Sequence, residues 1–344
     1  MKYEPYCLEQ NTCTRAGLPL EQAVESLRFF VLNAEQDPAI DIAYDMYRTS
    51  PHTLRRLWKE LFRLAAVDIG MADPYAPDYV YHLYEICYDC EPYTPESGGM
   101  MALCFIHAIR YLCGCGQDPC AVRALTEVKQ AYAAGETAKI PDFAYDHHNH
   151  AGRQLGHNPL DFLDPDGGSL VIEEVPDVAE PYRARLKELL RPKYGGDAPQ
   201  PFTVGGYNHY YDLTSRNGLN LELMQSAFQK SIRRALEREA LMICYEAATS
   251  GWEMEYYLWE RMVIMSVEDV GVGDRHCSRL MYTYFRLKDL FMDEPETRLA
   301  MLFQAVLYLC RCKKERSTEL IKGILVQEFA QGKTPRLAPG VQKE

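Results

Sequence analysis

The sequence predicts an all-α protein made of two tandem homologous helical bundles joined by a His/Pro/Gly-rich connector. Three observations carry that prediction. A tryptophan-led phrase occurs twice: the run from Trp58 to Asp73 returns 201 residues later as the run from Trp259 to Asp274, with Asp68 and Asp269, and Gly70 and Gly271, in register. Within each phrase, apolar residues fall at the spacing i, i+3, i+4, i+7 that marks one face of a helix. No strand-like alternation is sustained in either copy.

The repeat sets the boundaries. Backwards, the same offset pairs Tyr44 with Tyr245 and Leu27 with Phe228. Forwards, the register slips by four residues and resumes, so that Tyr111-Leu112-Cys113-Gly114-Cys115 matches Tyr308-Leu309-Cys310-Arg311-Cys312. Each copy spans about 110 residues, close to one domain. The predicted order is an N-terminal arm (1–20), a first helical repeat (21–132), a loop-rich connector (133–218), a second repeat (219–330) and a tail (331–344).

Within the repeats, Trp58, Leu61, Phe62 and Ala65 form one predicted core stripe, and Trp259, Met262, Val263 and Ser266 its counterpart. Leu221, Met224, Phe228, Ile232 and Ala235 form another, as do Leu299, Leu302, Phe303 and Val306. Gly70 and Gly271 are placed to end a helix in the left-handed region. Asp73 then suits the N-cap of the next helix with Pro74 at its first position, and Asp274 holds the matching place. Asp68 and Asp269 oppose the helix macrodipole near a C-terminus, so each is expected to find an arginine or backbone N–H groups. Together with Glu268 these residues are expected to form a structural turn.

The connector is rich in Pro, Gly and Asp and holds five of the nine histidines (147, 148, 150, 157 and 209). The segments 164–168 and 195–199 are predicted turns, 181–190 a short helix, and the tail frayed. With 344 residues, 47% of them hydrophobic, the chain can bury substantial cores. A net charge of -12 argues against a broad DNA-binding surface, leaving only local patches at Arg233-Arg234 and Lys313-Lys314, expected to be solvated helix faces. The run 299–310 is too short to span a bilayer and fits a core helix. Twelve cysteines without a signal-peptide pattern predict reduced thiols in the cytoplasm.

Residues able to carry chemistry are few. Asp146, His147, His150 and His157 could hold zinc or another divalent metal, but their spacing matches no specific metal motif. A polar connector whose histidines bond to backbone or pack on a bundle is the expectation, and no cofactor is expected. Cys87 and Cys90, with Cys113, Cys115 and Cys120, could make a thiolate zinc site, yet the recurrence of Cys113 and Cys115 as Cys310 and Cys312 suits packed side chains better. Gly332-Lys333-Thr334 ends like a phosphate-binding loop, but Gln327 occupies the required earlier glycine position. Nothing resembles a nucleophile elbow.

One resemblance bears on function. Ser226-Ala227-Phe228-Gln229-Lys230-Ser231-Ile232-Arg233, then Ser266 through Gly271, then Glu296 through Leu309, resemble the C-terminal helical region of the replication-associated recombination protein A family of AAA+ ATPases. Copy one matches more weakly, with Val67 where copy two has Glu268, although Ala72-Asp73-Pro74 is closer to the family. The stretch from Ile140 to His157 is similar to the segment that follows this region in some relatives. The resemblance implies an all-helical, clamp-loader collar-like assembly unit, present twice and without an ATPase module. The expectation is therefore a non-catalytic helical scaffold or oligomerisation protein of DNA replication, recombination or repair. Its partner would be itself or an AAA+ ATPase relative, with DNA contacted only indirectly and no membrane. The alternative is a metal-dependent enzyme or metal-binding factor centred on the connector histidines.

Overall fold

The computed structural model describes residues 11–90, 99–164, 167–168, 178–196 and 208–338, and among them every regular element is helical. The first half carries α1 (Leu20–Leu32), α2 (Gln36–Thr49), α3 (Pro51–Arg63), α4 (Ala76–Cys90), α5 (Gly99–Cys113) and α6 (Cys120–Ala133). Four short or moderate helices follow: α7 (His150–Gln154), α8 (Pro159–Leu163), α9 (Glu180–Tyr194) and α10 (His209–Asp212). The second half carries α11 (Leu221–Arg233), α12 (Glu237–Ser250), α13 (Trp252–Met265), α14 (Cys277–Leu287), α15 (Pro295–Arg311) and α16 (Ser317–Ala330).

Helix boundaries repeat with the sequence. Helices α1 to α4 begin at 20, 36, 51 and 76, and α11 to α14 begin 201 residues later, at 221, 237, 252 and 277. Helix α6 (120–133) returns as α16 (317–330) at the shorter offset of 197. Even the strained turns recur: Ala34 and Ala235, which close α1 and α11, have φ of 59° and 53°, a region that β-carbons normally avoid. Helix starts have local causes. Ser50 and Thr53 form a capping box ahead of α3 with Pro51 at its first position, and Asn220 accepts the Glu222 and Leu223 N–H groups at the start of α11.

Compactness divides the chain differently from repetition. One compact unit comprises residues 1–136 with 279–308, and the other 137–278 with 309–344, so the cuts fall inside α14 and α15. In the first unit, Trp58 and Phe62 of α3 meet Tyr84 of α4 edge-to-face at 5.5 and 5.4 Å between ring centroids. In the second, Trp259, Met262, Phe228 and Ile243 are buried within α11–α13. A smaller cluster of Phe162, Leu163, Leu186, Leu190, Leu320 and Ile324 joins α8, α9 and α16.

Most predicted stripes are buried, with informative exceptions. Val263 is only half-buried, and Ala235 is exposed because it lies in the positive-φ turn after α11 rather than on the helix. Pro74 is not at a helix start: Asp73 Oδ1 accepts the Tyr75 N–H at 3.2 Å and its carbonyl the Ala76 N–H at 3.1 Å, so a turn delays α4 to Ala76. The basic pairs are solvated only in part: Lys313 is exposed and Arg234 half-buried, but their neighbours are buried. Arg233 and Lys314 are 4% and 6% exposed, drawn in by a buried carboxylate and by a helix-end carbonyl. The predicted helix at 181–190 is the middle of α9. Residues 1–10, 165–166, 197–199 and 339–344, on which parts of the predicted arm, connector turns and tail fall, lie outside the described residues.

Candidate functional site

The duplicated phrase builds a turn held by charge. In both copies the helix widens into a π-helical turn, Leu64–Ile69 after α3 and Ser266–Val270 after α13, and the aspartate of each turn is buried. Asp269 is fully buried, with Oδ1 2.5 Å from Arg233 Nε and 2.9 Å from Arg316 Nε, while Oδ2 accepts from Gln229 at 2.8 Å. Burial opposes its charge, but the two guanidinium groups and Gln229 prevail and hold the carboxyl below its usual range. Asp68 is tied more loosely, to Arg28 at 2.6 Å and Arg63 at 3.9 Å.

The glycines ending these turns are fixed twice over. Gly70 and Gly271 have φ of 54° and 52°, and a β-carbon would lie 2.4 Å from the Asp118 carbonyl oxygen or 2.6 Å from that of Glu315. The close approach has a purpose: the Asp118 N–H donates to Ile69 O at 3.0 Å, and the Glu315 N–H to Asp269 O at 2.9 Å. Asp73 also accepts the Tyr111 hydroxyl, whereas Asp274 caps its own turn through the His276 N–H at 2.9 Å. Glu268 is half-buried, and burial together with neighbouring Glu319 pushes its carboxyl up.

The connector is seated on α11. Lys230 Nζ lies 2.6 Å from Asp146 Oδ2 and donates to Ala144 O at 3.0 Å, and Ser226 donates to the same carbonyl at 2.6 Å. Asp146 Oδ1 accepts the His148 N–H at 2.8 Å, and Asn149 caps α7 through the Gly152 N–H at 2.8 Å. His150 closes the seat, with its N–H and Nδ1 each 3.0 Å from Glu222. Burial brings Lys230 down to about 8 against the opposing pull of Asp146. Burial also works against the Asp146 charge, but the His148 hydrogen bond and the Lys230 ammonium outweigh it and hold the carboxyl well below the usual range.

Ser226, Lys230 and Arg233 lie at i, i+4 and i+7, one face of α11, yet their part in seating the connector was not visible in spacing alone. A signal exists in the divergence of the copies. The equivalent positions of α1 are Glu25, Phe29 and Leu32, and Phe29 is 57% exposed. Only copy two keeps the hydroxyl and the two cations.

Beside the seat opens a cleft of about 290 Å³, walled by α10, α11, α13 and the connector and lined by both polar and aromatic side chains. Among the described residues, the potential metal-binding atoms that lie within 4.8 Å of one another belong to Asp146, His147 and His148. His150 is directed to Glu222 instead, and His157 lies 3.9 Å from Asp161. Burial, reinforced by His148, brings His147 down to about 3, leaving a neutral imidazole whose Nδ1 is buried without a hydrogen-bond partner. Among the described residues no three cysteines converge as metal ligands, although Cys87 contacts Cys104 and Cys277 contacts Cys312. Cys87 donates to Tyr84 O at 3.0 Å, Cys90 is exposed, and Cys115 lies against Asp73 at 3.7 Å.

Comparison with known proteins adds no family. No protein-family model, curated protein or solved structure matches the chain. No helix among the described residues is long and apolar enough to cross a membrane.

Proposed function

We propose that the protein is a non-catalytic helical scaffold of DNA replication, recombination or repair that assembles with itself or with an AAA+ ATPase relative. One observation carries this: the charged residues of the phrase that resembles a clamp-loader collar are consumed in holding the fold. Lys230 is spent on Asp146 and Ala144, Arg233 on Asp269 and Gly168, and Asp269 on two arginines. A general acid, base or nucleophile must direct a proton or lone pair at a substrate. These groups direct theirs at each other. Neutralising these cations internally also keeps them from phosphate contacts, which fits indirect association with DNA.

The test is assembly. The purified chain is measured by light scattering coupled to gel filtration, alone and with the replication-associated recombination ATPase of the same cell. A defined oligomer or a stoichiometric complex is expected. A monomer that neither co-elutes with that ATPase nor alters its hydrolysis rate overturns the proposal.

A second reading is favoured by the juxtaposition of Asp146, His147 and His148, which offers a carboxylate and two imidazoles to a divalent metal. The Lys230 ammonium, 2.6 Å from Asp146, opposes a cation there. Metal content of the purified protein decides it, and less than about a tenth of an equivalent of zinc, manganese or iron removes this reading.

A further inference from the structure

The cleft beside the connector seat contains a cation without a carboxylate partner among the described residues. Arg261, on α13, donates to Gln225 Oε1 at 2.9 Å and to Gln229 Oε1 at 3.5 Å, both neutral amide oxygens. Its Nε is buried with no hydrogen-bond partner, and no carboxylate pairs with it among the described residues. Nη1 and Nη2 each keep one N–H beyond their glutamine bond, and paired guanidinium donors of this kind suit the two oxygens of a carboxylate.

The surroundings hold this group in place before any ligand arrives. Gln225, 4% exposed, donates to Tyr257 O at 3.0 Å and accepts the Tyr210 hydroxyl at 2.6 Å. Gln229 donates to the buried Asp269 at 2.8 Å, so both amides are locked with their oxygens toward Arg261. A receptor fixed in advance loses little entropy on binding. The cleft also sets the charge of its occupant. Asp146 is tied to Lys230 and Glu222 to His150, but both, with Glu268, line the same space and repel a dianion. Arg261 is the lining cation with no carboxylate in ion-pair range among the described residues, which suits a single negative charge held at that point, and Tyr210, Tyr211 and Phe162 add flat surfaces for a small organic body.

We propose that this cleft binds a small organic monocarboxylate, with the Arg261 guanidinium as its anion receptor. The site is independent of the scaffold reading, since a scaffold with or without such a ligand assembles alike.

The experiment is isothermal titration of the full chain with acetate, benzoate and inorganic phosphate at constant ionic strength. Saturable binding of a carboxylate, tighter than phosphate, is expected. Arg261→Met should raise the carboxylate Kd about tenfold or more, Arg261→Lys less, and Arg185→Gln, at an exposed position of α9, not at all. Circular dichroism reports the fold of each variant; should Arg261→Met not fold, Arg261→Lys decides, through the loss of its fork. Absence of saturable carboxylate binding, an unchanged Kd in the folded Arg261 variants, or tighter binding of phosphate overturns the proposal.

Discussion

Asp68 and Asp269 occupy the same point of the repeat, 201 residues apart, and both are buried, yet one is tied to a half-exposed arginine and the other to two buried ones. Arg28, the closer partner of Asp68, has a side chain 40% exposed, whereas the Asp269 partners Arg233 and Arg316 are 4% and 1% exposed. Breaking a buried pair strands its partners away from water, and an exposed pair contributes little. Asp269→Ala should therefore destabilise by about 3–5 kcal/mol and Asp68→Ala by about 1 kcal/mol in urea unfolding. Equal losses would refute the distinction.

Gly70→Ala and Gly271→Ala should each cost more than about 3 kcal/mol, because positive-φ strain of about 1–3 kcal/mol is joined by a backbone clash. Gly17→Ala is the control, since its φ is +83° but nothing lies within 4 Å of the added carbon. A Tm drop no larger than that of Gly17→Ala would refute the close-approach account.

Trp58→Ala and Trp259→Ala should each cost about 3–5 kcal/mol. Phenylalanine separates them. The Trp259 indole donates to Glu255 at 3.0 Å, while the Trp58 indole N–H makes no hydrogen bond, so Trp259→Phe should lower Tm more than Trp58→Phe. The reverse order would contradict the two environments.

His147 should stay neutral well below the ordinary imidazole value of about 6.5, because burial and the nearby His148 bring it down to about 3. Between those values the unfolded chain takes up a proton that the folded chain refuses, so acidification over that window costs stability. Imidazole NMR shifts of His147 report its state directly. A midpoint above pH 6 would rule out the described burial. His147→Gln should flatten the fall of Tm between pH 6 and 4, two values chosen to lie inside that window.

Lys230→Met should loosen the connector by leaving the Asp146 carboxylate without its ammonium partner. Limited proteolysis should then cut within residues 137–164 faster than in the native chain, with α11–α13 still protected. An unchanged cleavage pattern would show that Ser226 and the His150–Glu222 contact hold the connector without the lysine.

The all-α class and the turn phrase were legible in the sequence because they rest on local periodicity and on residues whose conformational preferences are intrinsic. Trp58, Leu61, Phe62 and Ala65 announce a buried helical face by spacing, and Gly70 and Gly271 announce positive φ by composition. The helix boundaries 201 residues apart follow from the same repeat. Tertiary structure alone decided the fate of the charges. Nothing local distinguishes Arg233, buried on Asp269, from Arg234 beside it, because the distinction depends on where Asp269, Gly168 and Arg316 arrive in space. The same is true of the histidines. Close spacing put Asp146, His147, His150 and His157 together in sequence, but His150 found Glu222 on α11 and His157 found Asp161. Periodicity fixes which face of a helix turns inward; which partner a buried charge meets is set by long-range packing, and no neighbouring residue encodes it.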